Sequence, residues 1–457
     1  MKKIISLLFI ASLLLSACGA ENITTANTET AGTQTAGKTS TPQSSSTAQS
    51  RLQVNKEALS GLAINVWTPW NDIEQSLFQT FVNEFNNENP WGIVINAQSQ
   101  VNFSNLYETV SASLPTNAKP DLVIALPEHA QEWFADGVAI DLNDYVNDAM
   151  YGLDANDFPD SFWNQDVTGD ARVGVPAQRT AQFLLWNKTW ADELGFDSAP
   201  VSPADFRQQV CRAHDSMLND AITQNDALGG WLANTETMTA YSWMLAFDGG
   251  VLEEGNYRFM QPENIDAFKY LRELSETNCA WQNASDPIVS FANREALFIT
   301  ASLKDFPIIA RAFVTAENRD EWKALPFPND DAGVMAVYGS SYVILKSNDN
   351  KQIATWLFVR WLLDNQQDKR WVETTHFFPL RVSTLSLLTD YEKTHPHWRQ
   401  AVELISQGAL QPQLASWRTV KIMLGDGFAH MYRVNTPSGQ VAAILSQMES
   451  TAKDLSE

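Results

Sequence analysis

The chain reads as an α/β protein of two lobes, and three features of the sequence predict it. Its 457 residues exceed the roughly 250 to 300 at which one hydrophobic core stops growing, so a second compact unit is expected. After residue 61, apolar runs of strand length alternate with segments of helical periodicity. That alternation is the pattern of a largely parallel sheet flanked by helices, whose ligands lie beyond the carboxyl ends of its strands. A second such run begins near Arg172, without an internal repeat of fixed period.

The elements follow in order. "LAINVW" (62–67) predicts a buried strand. "DIEQSLFQTFVNEFNNENP" (72–90) sets Ile73, Leu77, Phe78, Phe81, Val82 and Phe85 at helical spacing and stops at Asn89-Pro90. "GIVINAQ" is a strand, "NLYETVSASL" a helix, "DLVIAL" a strand and "EHAQEWFADG" a short helix ended by Gly137. In the second run, "RVGVPAQRTAQFLLWN" is extended and "KTWADELG" helical. "SPADFRQQVCRAHDSML" opens with Ser202 as cap and Pro203 at the first helical position. Helices at "ETMTAYSWMLAFDGG", "NIDAFKYLRELSETN" and "ANREALFI" precede the strand "YGSSYVIL" and the apolar-faced helix "NKQIATWLFVRWLLDNQQ".

The amino end carries a different message. Lys2 and Lys3 precede an apolar run from Ile4 to Leu15, which has signal-peptide length and falls short of the roughly 20 residues of a membrane span. Leu15-Ser16-Ala17-Cys18 resembles the lipobox of bacterial lipoproteins, cut before a cysteine whose thiol carries lipid. The resemblance implies a signal peptide over 1–17 and a lipidated Cys18 holding the chain to the outer face of the cell membrane. An ordinary secreted protein with a free Cys18 thiol is the alternative. Residues 18–58, mostly Ser, Thr, Ala, Gln and Asn up to Ser50, cannot bury enough surface to offset their ordering entropy. They read as a flexible tether spanning ~35 Å root-mean-square.

Charge and cysteine content narrow the function. Cutting before Cys18 removes two of the 31 basic residues and none of the 54 acidic ones, taking the net charge from −23 to −25. Such a chain is repelled by nucleic-acid backbones, so no nucleic-acid partner is expected. With Cys18 lipidated, Cys211 and Cys279 form an even pair in an exported protein and read as a disulfide; two separately buried thiols are the alternative. There is no CxxC, HExxH, GxSxG, GxxxxGK[ST] or GxGxxG. "DANDFPD" (154–160) lacks the glycine and terminal glutamate of a calcium loop, and His395-Pro396-His397 reads as an exposed loop. No metal, cofactor or catalytic centre is therefore called for.

Three blocks carry a family resemblance. "VPAQRTAQFLLWNKTWADELG" (175–195), "GGWLANTETMTAYSWMLAFDGG" running into "GNYRFMQPENIDAFKYLRELSETNCAW", and "YGSSYVILKSNDNKQIATWLFVRWLLDNQQDKRW" followed by "FFPLRVS" fall in the order found in bacterial extracellular solute-binding proteins of carbohydrate type. The chain is similar in layout to the maltose-binding protein family. The resemblance implies a two-lobed periplasmic-binding-protein-like fold of type II, with hinge segments and an interlobe ligand cleft. It assigns 61–170 plus 335–372 to the first lobe and 171–334 plus 373–457 to the second. It also implies a monomer that captures a sugar or oligosaccharide and delivers it to an ABC permease.

Carried over by position, the resemblance points to Trp70 and Asn71 after the first strand, and to Glu128 and His129 after "DLVIALP". Gln178 and Arg179 lie at the first crossing, Gly339, Ser340 and Ser341 at the returning one, and Lys304 and Trp417 late in the second lobe. Aromatic rings suit the apolar face of a sugar, and amides, carboxylates or a guanidinium suit its hydroxyls. Five of these assignments have a plainer counterpart: Trp70 and Trp417 as core, Arg179 as a lobe-bridging ion pair, Glu128 and His129 as a solvated helix start. Glycerol phosphate, a polyamine or another small solute would suit the same fold. A lipid-anchored glycoside hydrolase using two carboxylates, or an adhesion or sensor protein, are the rivals from other classes.

Overall fold

The computed structural model describes residues 50–456 except 117, 434 and 435; the expected signal segment, Cys18 and the tether up to 49 lie outside the described residues. Residue 50, inside the range expected of the tether, is already anchored to the body. The Ser50 hydroxyl and the N–H groups of Arg51 and Leu52 donate to one carboxylate oxygen of Asp148 at 2.9, 2.7 and 3.1 Å. Burial alone would raise the Asp148 carboxyl, but the N–H groups of Tyr151, Met150 and Leu52 and the Ser50 hydroxyl hold it well below the usual range. Lys56–Leu59 then form a helical turn with Leu59 fully buried.

In chain order the elements used below are β1 (Ala63–Thr68), α1 (Asp72–Glu88), β2 (Val94–Ser99), α2 (Phe103–Ser113), β3 (Leu122–Ala125) and α3 (Pro127–Ala135). Next come β4 (Val175–Pro176), β5 (Thr180–Ala181), β6 (Phe183–Asn187), β7 (Trp231–Leu232), α4 (Thr237–Ala246), β8 (Ala280–Trp281), β9 (Phe298–Ala301) and β10 (Trp322–Leu325). The chain continues through β11 (Met335–Tyr338), β12 (Ser341–Ile344), α5 (Asp349–Leu362), α6 (Asn365–Thr375), β13 (Gly408–Ala409) and α7 (Trp417–Met431).

Each lobe is built on a five-stranded sheet, ordered β2-β1-β3-β12-β4 in the first and β8-β7-β9-β6-β10 in the second. The two orders are the same pattern. Three parallel strands are followed by one strand that arrives from the other lobe and runs antiparallel to its neighbours. The sheets are therefore mixed rather than largely parallel, because β12 and β6 enter by crossing between lobes.

Both faces of the central strands are buried, and alternate side chains serve opposite cores. Leu122 and Ile124 of β3 pack with Phe78, Phe81 and Phe85 of α1 and with Trp356 of α5, whereas Val123 and Ala125 face Leu106, Val110 and Trp133. In the second lobe Leu184 and Trp186 join Trp231 and Trp243, while Phe183 and Leu185 join Phe306 and Trp322. Of the expected apolar stripe on α1, Phe78, Phe81, Val82 and Phe85 are buried, but Ile73 in its first turn is 57% exposed. Ser202 and Asp205 form the reciprocal capping box at the Pro203 helix.

A third, small sheet of β13-β11-β5 lies where the chain crosses between lobes. The pairing shifts the expected lobe boundaries. Val175–Pro176 pair in the first-lobe sheet, so that lobe runs to 176 rather than 170. Residues 335–338 belong to the crossing sheet, and α6 packs on α1 up to residue 375. The third crossing follows at 377–381, where the Leu380 and Arg381 N–H groups donate to the buried carboxylate of Asp368.

Arg179 joins all three crossings. Its guanidinium is wholly buried and donates to Asp166 at 2.7 Å, to the Ser341 hydroxyl at 3.1 Å, to the Gln178 carbonyl at 2.9 Å and to the Ser340 carbonyl. Its own carbonyl accepts from the N–H of Phe378 at 3.0 Å. Gly339 must approach this crossing closely: with φ at +150°, a Cβ there would stand 2.0 Å from the Gln178 carbonyl oxygen.

Two of these links can be tested through stability. Cys211 and Cys279 are joined as a disulfide across 68 residues of sequence. Replacing both by alanine should lower unfolding free energy by about 4 kcal/mol on the loop-entropy scale, read from urea transitions. Arg179→Met strands the Asp166 carboxylate and should cost about 3–5 kcal/mol, of which adding Asp166→Asn should recover a large part. A loss below ~1 kcal/mol for the single change would mean the pair behaves as an exposed one.

Candidate functional site

The carboxyl ends of β1, β3, β7 and β9 and the crossings between lobes meet a band of polar side chains. On the first-lobe side, Gln178 is the organiser: its Oε1 accepts from Trp70 Nε1 at 3.0 Å and from the Ser340 hydroxyl at 3.3 Å, and its Nε2 donates to Glu74 at 3.5 Å. Burial raises the Glu74 carboxyl, against the Gln178 hydrogen bond and the charge of Lys304. Lys304, from the second lobe, is exposed and forms no ion pair among the described residues.

Gln182 does the same work on the second-lobe side of β5. Its Nε2 donates to Glu236 and to the Thr239 hydroxyl, each at 3.1 Å, and its Oε1 accepts from the Tyr338 hydroxyl at 3.2 Å. Thr239 donates in turn to Asn234 at 2.6 Å.

Farther from the crossings, a cavity of about 290 Å³ lies between the lobes. Phe103 and Tyr107 of α2 and Glu128 and His129 of α3 line it from the first lobe; Thr237, Arg418 and Lys421 line it from the second. Its charges are matched across the gap, with Lys421 Nζ 2.9 Å from Glu128 and Arg418 Nε 2.8 Å from Glu132. Burial would push the Glu128 carboxyl up, yet Lys421 beside it holds it below the ordinary range. The His129 ring packs against Tyr107 and Trp133, and burial lowers its pKa to about 4, so the imidazole is neutral near pH 7. Its Nδ1 is buried without a hydrogen-bond partner.

Several sequence-predicted residues take other roles. Trp70 is 4% exposed, its indole N–H bonded to Gln178 and its ring against Trp371 and Phe78, so it is a wall of the first-lobe core rather than an open cleft surface. Trp417 is likewise core, 1% exposed and bonded to Gln411. Arg179 is the lobe-bridging ion pair, with its Nη1 and Nη2 donors engaged by Asp166 and the crossings and its Nε without a partner. Ser340 and Ser341 are fully buried, their hydroxyls directed to Gln178 and Asp166. Asn71 is exposed, with its amide on the Val101 carbonyl. Glu128 and His129 are buried on the cavity rather than solvated.

Sequence reading passed over Glu74, Tyr107, Glu132, Gln182, Arg418 and Lys421. One signal was present: Glu128 and Glu132 stand four apart and Arg418 and Lys421 three apart, spacings that place each pair on one helix face. Among the described residues, no group of three or more His, Cys, Asp or Glu could hold a metal ion, and no helix is long and apolar enough to cross a membrane.

The His129 environment predicts a pH signature. Between about 4 and the ordinary 6.5, the unfolded chain binds a proton at this histidine that the folded chain does not, so its contribution makes stability fall as pH drops through that window. His129→Gln should flatten the stability difference between pH 7 and pH 5 relative to the parent, measured by urea unfolding; an unchanged slope would mean that His129 is protonated when folded.

Comparison with known proteins places this geometry. Residues 80–399 match the family of bacterial extracellular solute-binding proteins. Among solved structures, the cyclic alpha-maltosyl-1,6-maltose binding protein from Arthrobacter globiformis is similar with a TM-score of 0.71 at 18% identity, over 86% of this chain and 98% of that one. The sugar-binding protein MalE from Xanthomonas citri gives 0.74 at 16%, over 86% and 97%. UgpB from Mycobacterium tuberculosis, solved with glycerophosphocholine, gives 0.70 at 18%, over 86% and 99%. Among curated protein sequences none matches. With two like-ordered sheets, three crossings and a polar cleft between them, the chain belongs to the bacterial extracellular solute-binding proteins.

Proposed function

We propose that the protein is the substrate-binding lipoprotein of an ABC importer, held to the extracytoplasmic face of the cell membrane through Cys18. It captures an uncharged sugar or oligosaccharide between its lobes as a monomer, performs no catalysis, and hands its cargo to a membrane permease. The observation that carries this reading is the charge balance of the cleft. Arg179, Arg418 and Lys421 are each within 2.9 Å of a carboxylate, which leaves no free cluster of donors among these three for a phosphate or carboxylate ligand. What remains are amides, hydroxyls, aromatic edges and a neutral imidazole, groups matched to a ring of hydroxyls and its apolar face.

The nearest alternative is a glycerol phosphate, favoured by the exposed and unpaired Lys304; one lysine, whose charge also acts on the Glu74 carboxyl, is a weak anion site. A polyamine would need acids without partners, and Glu128 and Glu132 have theirs.

Thermal unfolding of the chain from residue 18, carrying Cys18→Ser, should discriminate among these. A true ligand at 100 times its Kd adds about 2.7 kcal/mol of stability, so mono- and oligosaccharides should raise the transition while glycerol phosphates and polyamines leave it in place. A rise with glycerol phosphate and none with any sugar would refute the sugar reading.

A further inference from the structure

Two helices from opposite lobes face each other with complementary charges that pair directly, side chain to side chain. Glu128 and Glu132 project from α3, Arg418 and Lys421 from α7. Lys421 binds Glu128 at 2.9 Å and Arg418 binds Glu132 at 2.8 Å. The second pair is reinforced by Tyr107: its hydroxyl donates to the other Glu132 oxygen at 2.5 Å, and the Arg418 guanidinium lies over its ring at 4.2 Å. The side chains are sheltered without being sealed, Glu128 being 3% exposed, Lys421 20%, and Glu132 and Arg418 27% each. Their attraction is stronger than that of a fully exposed pair, yet solvent ions can still screen it.

The rest of the molecule supplies the opposing force. A chain of net charge −23 repels itself when its two halves approach, and that repulsion favours an open cleft. We propose that the α3–α7 pairing is a ligand-independent latch, which gives the closed arrangement a standing population before any solute binds. Apparent affinity scales with the fraction of molecules in the binding-competent state, so the four charged residues are positioning residues for solute capture. The affinity consequence rests on the reading of the cleft as a solute site; the latch itself does not.

The test therefore has two arms, both on the chain from residue 18 carrying Cys18→Ser. In the first, small-angle scattering of ligand-free protein at 20 mM NaCl, where the pairs are least screened, should give the parent a smaller radius of gyration than the double variant Arg418→Glu with Lys421→Glu. Adding Glu128→Lys and Glu132→Arg reverses the polarity of every pair and should restore the compact form. Equal radii for parent and double variant would overturn the latch. Should the double variant fail to fold by circular dichroism, the milder pair Arg418→Gln with Lys421→Gln decides, and a radius equal to the parent's overturns it.

In the second arm, the sugar giving the largest thermal shift should bind the double variant on the order of tenfold more weakly, and the polarity-reversed variant close to the parent value. Lost affinity that the reversal does not restore would make these residues ordinary ligand contacts and sink the affinity claim. Binding of no sugar at all would strike down the sugar reading while the scattering arm still decides the latch.

Discussion

Arg179 is the point at which three separate passages of the chain are held together. A fully buried guanidinium demands that its donors be met, because an unpaired charge in the interior is among the costliest defects a fold can carry. Asp166 from the first lobe and the Ser340 carbonyl and Ser341 hydroxyl from the second crossing meet its Nη1 and Nη2 donors, only Nε being left without a partner, while the Phe378 N–H of the third crossing donates to the Arg179 carbonyl. Neither lobe can slide past the other without breaking this set. What is left is rotation about the crossings, which is the hinge motion on which capture of a solute between two lobes depends.

The two lobes share one sheet order although their sequences carry no repeat of fixed period. In each, a strand from the neighbouring lobe is inserted beside the third parallel strand and returns the chain to its own side. This exchange couples the lobes through main-chain hydrogen bonds, whereas the cleft side chains can vary without disturbing it. The amides of Gln178 and Gln182, which flank β5, show the division: one reaches into each lobe from the same short crossing.

Much of this architecture was readable from local pattern. Strands buried on both faces announced themselves as continuous apolar runs, and the Pro203 helix carried its own start signal in Ser202 and Asp205. What stayed hidden was decided by residues distant in sequence. Trp70, beside a proline in a loop, looked open to the cleft, but Trp371 comes from far along the chain to cover it. Arg179 could equally have met a ligand or an acid until Asp166 and Ser341 were brought to it by the fold. The facing charges of α3 and α7 were legible as spacings but not as partners, since nothing in one helix names the other.

The seat of the amino-terminal segment carries a mechanical consequence. Ser50, Arg51 and Leu52 are gripped by Asp148, a residue of the first lobe, before the chain enters β1. Any pull exerted from upstream is therefore delivered to the first lobe alone, at a point held by three hydrogen bonds. With the chain held through Cys18 as proposed, the first lobe would be the fixed jaw of a clamp, and the second lobe, which bears Arg418 and Lys421, the jaw that swings.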